Sequence, residues 1–301
     1  MWIVYAFLPP LIVSLILYCA LSPKDNITIN PGTKALLVIS HPDDESMFFT
    51  PLLSHLKSQQ GVATYILCLS TGDYGNIGFG DVRKAELYDA ALSVHGIPNK
   101  RVIIRDEVDL RDGKRNRWSH TRISHIIQES IRDYLDGELD MIFSFDPNGA
   151  SGHVNHLDTC RGVRQAVKQL RADSLLYSES SINMKEQKTI ELFELETGPI
   201  YRQFLGPLDI ILQQAIVNHE KQVYIQPPRM LSLNHLPPLV VQEKKFVGRP
   251  FDDAGLAILT SYDTVLDSWK GMSKHESQFV WYRKAFVIFS KFSYVNTFWR
   301  R

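Results

Sequence analysis

The sequence has little cysteine, with Cys19, Cys68 and Cys160 as the three residues among 301. This odd, scattered set provides neither a disulfide framework nor a Cys-x-x-Cys metal knuckle. We therefore expect reduced thiols in a domain that faces the cytosol. An excess of one charge is also lacking, because 33 Lys and Arg residues balance 33 Asp and Glu residues. This balance argues against a nucleic-acid partner, since a general nucleic-acid binder would be basic.

Charged side chains are absent from residues 1–23, which form a mostly apolar run. A helix that crosses a bilayer needs roughly 20 apolar residues, and no Lys or Arg precedes the run, which favours a retained anchor over a cleaved signal peptide. Lys24 follows directly and indicates a cytosolic side for the rest of the chain, whereas a glycosylation sequon at 26–28 would favour the lumen. We predict a transmembrane anchor over 1–23 and a linker over 24–33.

Apolar runs that alternate with helical patterns make up the body of the chain. Apolar residues are 44% of the total and charged residues 22%, so the chain can bury a core. Strands are predicted at 34–40, 62–70, 101–105 and 140–146, with helices between them. Strands separated by helices predict a Rossmann-like, doubly wound α/β fold with a mostly parallel sheet. We expect one domain over 34–301, in which 185–301 is a mixed extension that ends in an amphipathic aromatic segment.

The first polar motif, His-Pro-Asp-Asp-Glu at 41–45, follows the first strand directly. An ordinary interpretation is a helix N-terminus, in which Asp43 or Asp44 caps and Glu45 favours the positive end of the helix. That interpretation leaves His41 without a role. The alternative is a metal site. In that case Pro42 fixes its backbone φ and stiffens the turn that holds His41 and Asp44.

The second polar motif spans residues 146–158, after the predicted strand at 140–146, and contains His153 and His156. If a helix begins near Asn155, both histidines can point into one crevice. The alternative is a surface loop in which the histidines are incidental, because Asn, Gly and Asp are ordinary turn formers.

The two motifs together are more informative than either alone. The functional crevice of a doubly wound sheet lies outside the carboxyl ends of its strands, where both motifs are predicted to lie. Two histidines and one carboxylate, with an open position for water, form a usual catalytic zinc set, and zinc lowers the pKa of a bound water to about 7. The remaining acid and histidine are candidates for a general base and an oxyanion partner.

These motifs resemble those of the LmbE-type de-N-acetylases, which remove acetyl groups from N-acetylglucosamine units. The family pattern is [AS]-H-P-D-D-E after the first strand and H-x-x-H at a later strand end, and residues 40–45 and 153–156 match it. The resemblance implies three ligands for a divalent metal, most commonly Zn²⁺, and two catalytic residues. The implied ligands are His41, Asp44 and His156. The implied catalytic residues are Asp43, as the general base for the attacking water, and His153, as the oxyanion partner.

Three further positions are compared with that family. Arg83 and Glu86 match its R-x-x-E-L segment, in which the arginine holds substrate. From the residues alone, an ordinary i,i+3 surface pair is the alternative. Many bacterial relatives carry Asp where this chain has Asn155, and an Asp would help to charge a nearby histidine. This departure leaves open which group tunes His153.

The C-terminal segment 272–298 resembles the M-x-x-H-x-S-Q-x-x-W-[FY]-R ending of the eukaryotic members that act in GPI-anchor biosynthesis. That resemblance implies a membrane glycolipid substrate, N-acetylglucosaminyl-phosphatidylinositol, and a single-pass protein of the endoplasmic reticulum whose catalytic domain faces the cytosol. The segment is also aromatic, apolar and punctuated by cations. It is interpreted either as a core helix with a basic face or as an interfacial segment in which Phe286, Phe289 and Phe292 contact the membrane.

Two other functions compete with this one. The same chemistry could act on a soluble N-acetylglucosaminide, which the predicted anchor and the C-terminal ending argue against. A membrane-tethered binding module with a degenerate site is the other, and the intact set of motif residues argues against it. The sequence identifies no protein partner.

Overall fold

A computed structural model describes residues 29–73, 78–179, 189–209, 256–260 and 264–301. The predicted anchor over 1–23 and residues 24–28 of the predicted linker lie outside the described residues. Within the described ranges, no helix has both the length and the apolar character needed to cross a bilayer.

The described chain alternates strands and helices, which we number in chain order. The strands are β1 Lys34–Ile39, β2 Ala63–Cys68, β3 Val102–Ile104, β4 Met141–Phe145, β5 Glu191–Leu195, β6 Leu256–Thr260 and β7 Val295–Arg300. The helices are α1 Asp44–Phe48, α2 Thr50–Ser58, α3 Phe79–Ser93, α4 His120–Tyr134, α5 Gly149–Gly152, α6 Val154–Glu179, α7 Ile200–Gln203, α8 Thr264–Lys274 and α9 Trp281–Phe289.

These strands form one mixed sheet in the order β3-β2-β1-β4-β5-β7-β6. The first five strands in that order pair in parallel, whereas β7 runs antiparallel to both β5 and β6. The strand order reverses direction between β1 and β4, which are direct neighbours. In open α/β sheets a ligand crevice forms at such a reversal, outside the carboxyl ends of the strands.

The core lies on both faces of the sheet, because successive side chains of a strand point to opposite faces. On β1, Leu37 and Ile39 join one buried cluster, and Leu36 and Val38 join the other. Helices α2 and α3 cover the first face, and α4 and α6 cover the second. A strand that is buried on both faces reads as a continuous apolar run, which is why β1 and β4 lack polar alternation.

The predicted α/β fold with a mostly parallel sheet is confirmed. The four predicted strands occur as β1 to β4, each slightly shorter than predicted. Sequence reasoning did not identify β5, β6 and β7, which lie in the predicted mixed extension and complete the sheet. Their last member, β7, carries the C-terminal residues into the sheet beside β5.

Candidate active site

The two polar motifs meet at the reversal of the sheet, because β1 and β4 are neighbours there. The motif at 41–45 follows β1, and His153 and His156 lie at the start of α6, beyond β4. Ring nitrogens of His41, His153 and His156 lie within 4.8 Å of one another. The structure therefore brings together the histidines that sequence analysis predicted from two distant segments.

The short turn after β4 is built to place His156. The Asp146 carboxylate accepts hydrogen bonds from the backbone N–H groups of Gly149 and Thr197, each at 2.9 Å. Gly149 has a φ of +66°, and a Cβ there would lie 3.0 Å from the Cβ of His156. This position therefore needs glycine both for its backbone conformation and for space.

His156 is oriented with one ring nitrogen free for a ligand. Its Nδ1 donates to the carbonyl of Gly149 at 2.9 Å, and its ring stacks on Phe145 at a centroid distance of 4.2 Å. A carbonyl only accepts, so the proton of the neutral ring lies on Nδ1 and leaves Nε2 as an acceptor. That Nε2 faces Oδ1 of Asp44 at 3.3 Å.

Asp44 joins the two motifs as a buried carboxylate. Its Oδ2 accepts from the backbone N–H groups of Ser40 and His41 and lies 3.7 Å from Nδ1 of His41. Burial raises the pKa of Asp44. When His156 and His41 are protonated, the charge and side-chain hydrogen bond of His156 and the charge and backbone N–H of His41 outweigh burial and hold that pKa well below its usual range. Asp44 is therefore an anion that lies beside His41 and His156.

Asp112, which sequence analysis missed, lies behind His41. Its Oδ1 is 3.2 Å from Nε2 of His41 and 3.8 Å from Nε2 of His153. Burial lowers the pKa of His41, but the hydrogen bond and charge of Asp112 and the charge of Asp44 outweigh it, so the pKa is raised. No strand end marks Asp112 in the sequence, because it lies in an irregular stretch between β3 and α4.

Asn155, the departure from the bacterial pattern, is fully buried and contacts both motifs. Its Oδ1 lies 3.2 Å from Nε2 of His41, and its Nδ2 donates to the carbonyl of Asn116 at 2.7 Å. Its backbone N–H donates to Nδ1 of His153 at 3.3 Å. The amide side chain therefore fixes His41, and the backbone sets the tautomer of His153.

His153 is the most exposed of the three site histidines and is neutral at neutral pH. Burial and the nearby charges of His41 and His156 lower its pKa to about 4. Because Nδ1 accepts from the backbone of Asn155, the neutral ring carries its proton on Nε2. His153 thus presents an N–H donor in the group of histidines.

Asp43 lies beside this cluster in a strained backbone conformation. Its φ is +124°, which is rare for a residue with a Cβ and is typical of functional sites. It occupies the N-cap position of α1, but its side chain makes no capping hydrogen bond. The side chain instead contacts the guanidinium groups of Arg83, at 3.1 Å, and Arg283. Helix capping therefore does not account for this carboxylate.

Arg83 is 4% exposed, so the alternative interpretation of an i,i+3 surface pair with Glu86 is wrong. Its guanidinium also donates to the carbonyls of Gly72 and Pro42. Glu86 instead accepts from the backbone and side chain of Ser277, at 2.7 and 2.6 Å. Arg83 is thus buried beside Asp43, and the half-buried Glu86 contacts the C-terminal motif; a substrate contact by Arg83 stays a prediction.

The C-terminal motif packs directly on the first motif. His275 Nε2 lies 2.6 Å from Oε1 of Glu45, and both side chains are fully buried. Oε2 of Glu45 accepts from the backbone N–H of Asp43 at 3.1 Å, so His275 supports the turn that carries Asp43. The C-terminal resemblance marked His275 and Arg283 in the sequence, but without coordinates it could not show which residues they contact.

The three phenylalanines that the interfacial interpretation places at a membrane have different environments. Phe292 is fully buried, which fits the core interpretation and not the interfacial one, because a core side chain is not available to lipid. Phe286 is partly buried against the core, and Phe289 is 42% exposed. The segment therefore combines the two interpretations, with one side in the core and another open to solvent.

The donors in this cluster suit a divalent cation. They comprise three imidazoles and the ionised Asp44, all gathered at one strand edge. Neutral imidazole and carboxylate together suit zinc, iron and manganese. Carboxylate and amide groups behind His41, from Asp112 and Asn155, match the outer shell that usually orients a ligating histidine.

The chain is similar in sequence to known proteins. Residues 36–167 match the family model described as "PIG-L: GlcNAc-PI de-N-acetylase". The N-acetylglucosaminyl-phosphatidylinositol de-N-acetylase of Saccharomyces cerevisiae is 32% identical over 268 residues, which cover 87% of this chain and 79% of the yeast protein. A "probable" enzyme of the same name from Dictyostelium discoideum is 28% identical and covers 91% of this chain and 95% of its own length.

The fold is also similar to that of solved structures. N,N'-diacetylchitobiose deacetylase from Pyrococcus horikoshii superposes with a TM-score of 0.56 at 13% identity, covering 96% of this chain and 91% of that structure. Identity this low supports the fold and not the substrate. The sequence relatives extend through both polar motifs and most of the remaining chain. The chain therefore belongs to the GlcNAc-PI de-N-acetylase (PIG-L) family.

Proposed function

We propose that this protein is a metal-dependent hydrolase that removes the N-acetyl group from N-acetylglucosaminyl-phosphatidylinositol. The products are glucosaminyl-phosphatidylinositol and acetate, and the reaction is a step of GPI-anchor biosynthesis. The single observation that carries the proposal is the meeting of the two polar motifs at the sheet reversal, in a chain whose named relatives carry this activity. A degenerate binding module does not require this complete set of donors.

The reaction adds water to the acetyl carbonyl carbon and then breaks the bond between that carbon and the amide nitrogen. We assign Asp43 to accept a proton from the attacking water, because its carboxylate lies beside the histidine cluster and is held by Arg83 and Arg283. The nitrogen leaves with one added proton, and the acyl group leaves as acetate. A positioned general base contributes roughly 10²–10⁴-fold to such a rate.

His153 is assigned to the carbonyl oxygen, on which negative charge develops. Its neutral ring holds a proton on Nε2, so it can donate a hydrogen bond to that oxygen. Donors that are positioned before the reaction lower the barrier by a few kcal/mol, about 3 in comparable sites.

Three side chains would hold the metal: His41, Asp44 and His156. We propose Zn²⁺, which when bound would act as a Lewis acid and supply a nucleophile near neutral pH. Asp44 contacts both histidines of this set, which supports the assignment. The third histidine, His153, lies in the same cluster, and its assignment to the oxyanion is tested below by metal content.

We also propose a cellular location and a membrane orientation for the enzyme. The apolar run over 1–23 would anchor it as a single-pass protein of the endoplasmic reticulum membrane, with the domain over 34–301 in the cytosol. The support is sequence-based: the length of the run, the first positive charge at Lys24 and the membrane glycolipid named for its relatives. Protease treatment of sealed microsomes tests this, and full protection of the domain would contradict it.

The proposed activity is tested with purified full-length protein and two substrates. One is N-acetylglucosaminyl-phosphatidylinositol, and the other is a soluble N-acetylglucosaminide such as diacetylchitobiose. We expect acetate release from the lipid-linked substrate, with far lower kcat/KM on the soluble one. Equal turnover of both would favour the soluble function, and no release from either would contradict the proposal.

A further inference from the structure

An apolar groove opens beside the candidate active site, with a volume of about 340 Å³. It lies between Phe204, just after α7, and one side of α9. The residues that line it are Met47, Phe204, Tyr282, Arg283, Ala285, Phe286 and Phe289. The proposed mechanism gives this groove no role.

The groove adjoins the site through Arg283 and Phe286. Arg283 lines it and also contacts Asp43, the proposed general base. Its floor includes Phe286, whose ring lies 5.7 Å from Phe48, and Phe48 in turn lies 5.7 Å from His156. These contacts place the groove next to the histidine cluster, so a molecule long enough to pass Arg283 would reach both.

The lining of the groove defines the chemistry of its occupant. Among the lining residues, Arg283 alone carries a full charge, and its guanidinium turns to the site end. From Arg283 to Phe289 the groove follows α9 for six residues, about 9 Å at 1.5 Å per residue. Along that length its lining side chains are aromatic or aliphatic, so a polar ligand would lose its hydrogen bonds to water without replacement.

The aromatic side chains at the rim of the groove are unusually exposed. Phe204, Tyr282 and Phe289 are 52%, 56% and 42% exposed. Trp281 on α9 is 79% exposed and lies 5.9 Å from the ring of Tyr282, and Tyr201 on α7 is 68% exposed. A contiguous exposed apolar patch beside a site marks a binding surface rather than a chance arrangement.

We infer that this groove binds an acyl chain of the lipid-linked substrate while its sugar occupies the histidine cluster. The inference rests on the proposed function, because it requires a substrate in which a sugar amide and an acyl chain belong to one molecule. The groove is thus a specificity subsite: it adds affinity for the lipid-linked substrate and none for its headgroup alone. Residues 210–255, which lie outside the described residues, are the competing occupant.

The test uses full-length protein in detergent and two substrates that share one headgroup. One is N-acetylglucosaminyl-phosphatidylinositol, and the other is the same N-acetylglucosaminyl-inositol phosphate without acyl chains. The variants are Phe204→Ser and Phe289→Ser at the rim. The matched control is Leu92→Ser on α3, where an apolar side chain is 54% exposed away from the groove lining.

Each rim variant is expected to lower kcat/KM for the lipid-linked substrate about tenfold, because each removes apolar area that the acyl chain would cover; tenfold corresponds to about 1.4 kcal/mol. The value for the acyl-free headgroup is expected to stay within about twofold, and Leu92→Ser to change neither. Equal losses on both substrates, with a lower Tm, would assign the groove to residues 210–255 or to core packing and overturn the inference. Unchanged kcat/KM on both would overturn it as well.

Failure of the proposed function gives a different result. In that case the wild-type protein would deacetylate neither substrate, and the inference would fall with the function. Loss of selectivity by the rim variants, with headgroup turnover kept, supports both proposals.

Discussion

The Asp112 carboxylate lies 3.2 Å from Nε2 of His41, while Nδ1 of the same ring faces Asp44 at 3.7 Å. One nitrogen is therefore turned toward the proposed metal ligands, and the other is held by an anion. A carboxylate in this position fixes the tautomer and orientation of a ligating histidine. Many bacterial relatives have a negative charge near the histidines from an Asp at the position of Asn155. In this chain Asp112 supplies a negative charge there.

The first prediction concerns Asp112. Asp112→Asn is expected to weaken metal affinity roughly 10–100-fold, the usual effect of losing such a partner. Metal affinity measured by competition with a chelator tests this, and Asp109→Asn, at an exposed acid of the same stretch, is the control. Unchanged affinity in Asp112→Asn would show that Asp112 does not position His41.

The second prediction separates proton transfer from metal binding. Asp43→Asn keeps the shape of the side chain but cannot accept a proton from water. We expect kcat to fall roughly 10²–10⁴-fold with the metal content unchanged. Full activity in this variant would remove Asp43 as the general base, and loss of metal would make Asp43 a structural residue of the site.

The third prediction concerns the contact between α8 and the first motif. A Cβ at Gly271 would lie 2.4 Å from Oγ of Ser46, whose hydroxyl donates to Glu45 at 2.7 Å. Gly271→Ala is therefore expected to cost about 1–3 kcal/mol of unfolding free energy and to lower kcat as Ser46 moves. Lys270→Ala, at an exposed neighbour on the same helix, is the control. Equal stability of the two variants would contradict the close packing.

The fourth prediction follows from the buried pair of Glu45 and His275. Burial raises the pKa of Glu45, but His275 outweighs it and the pKa is lowered from 4.5. Burial lowers the pKa of His275, but Glu45 outweighs it and the pKa is raised from 6.5. Stability from Glu45 is thus present above pH 4.5 and lost as pH falls through its folded pKa. Stability from His275 is present below pH 6.5 and lost as pH rises through its folded pKa.

The measurement is denaturant unfolding of wild type and His275→Gln across pH. Removal of one partner of a buried pair costs roughly 3–5 kcal/mol. We expect the difference in unfolding free energy to be largest between pH 4.5 and 6.5 and to shrink outside that window. A difference that does not depend on pH would show that the pair is not ionised.

The sequence predicted the parts of the molecule that local patterns determine. Strands β1 and β4 are continuous apolar runs, and the polar motifs follow them directly. The position of His41 and His156 at the edge of the sheet could therefore be predicted from the sequence. The role of Asp112 could not be predicted, because it depends on a loop contact with His41, which lies 71 residues earlier in the sequence. The antiparallel strand β7 was missed for a similar reason, since its pairing with β5 joins distant segments.

The aromatic C-terminal segment shows the limit of pattern reasoning at a single residue. Phe289 and Phe292 are three positions apart and are the same type of residue. One is half-exposed on α9, and the other is fully buried beyond the helix end. The helix ends at Phe289, so helical spacing does not carry over to Phe292.

Metal content and deacetylation, measured together on purified protein, test the central claim most directly. We expect one bound divalent cation per chain, loss of deacetylation of N-acetylglucosaminyl-phosphatidylinositol after chelation, and recovery when Zn²⁺ is restored. His156→Ala should lose both metal and activity, whereas His153→Ala should keep the metal and lose activity. Full activity in the chelated protein, or retention of the metal by His156→Ala, would contradict the account.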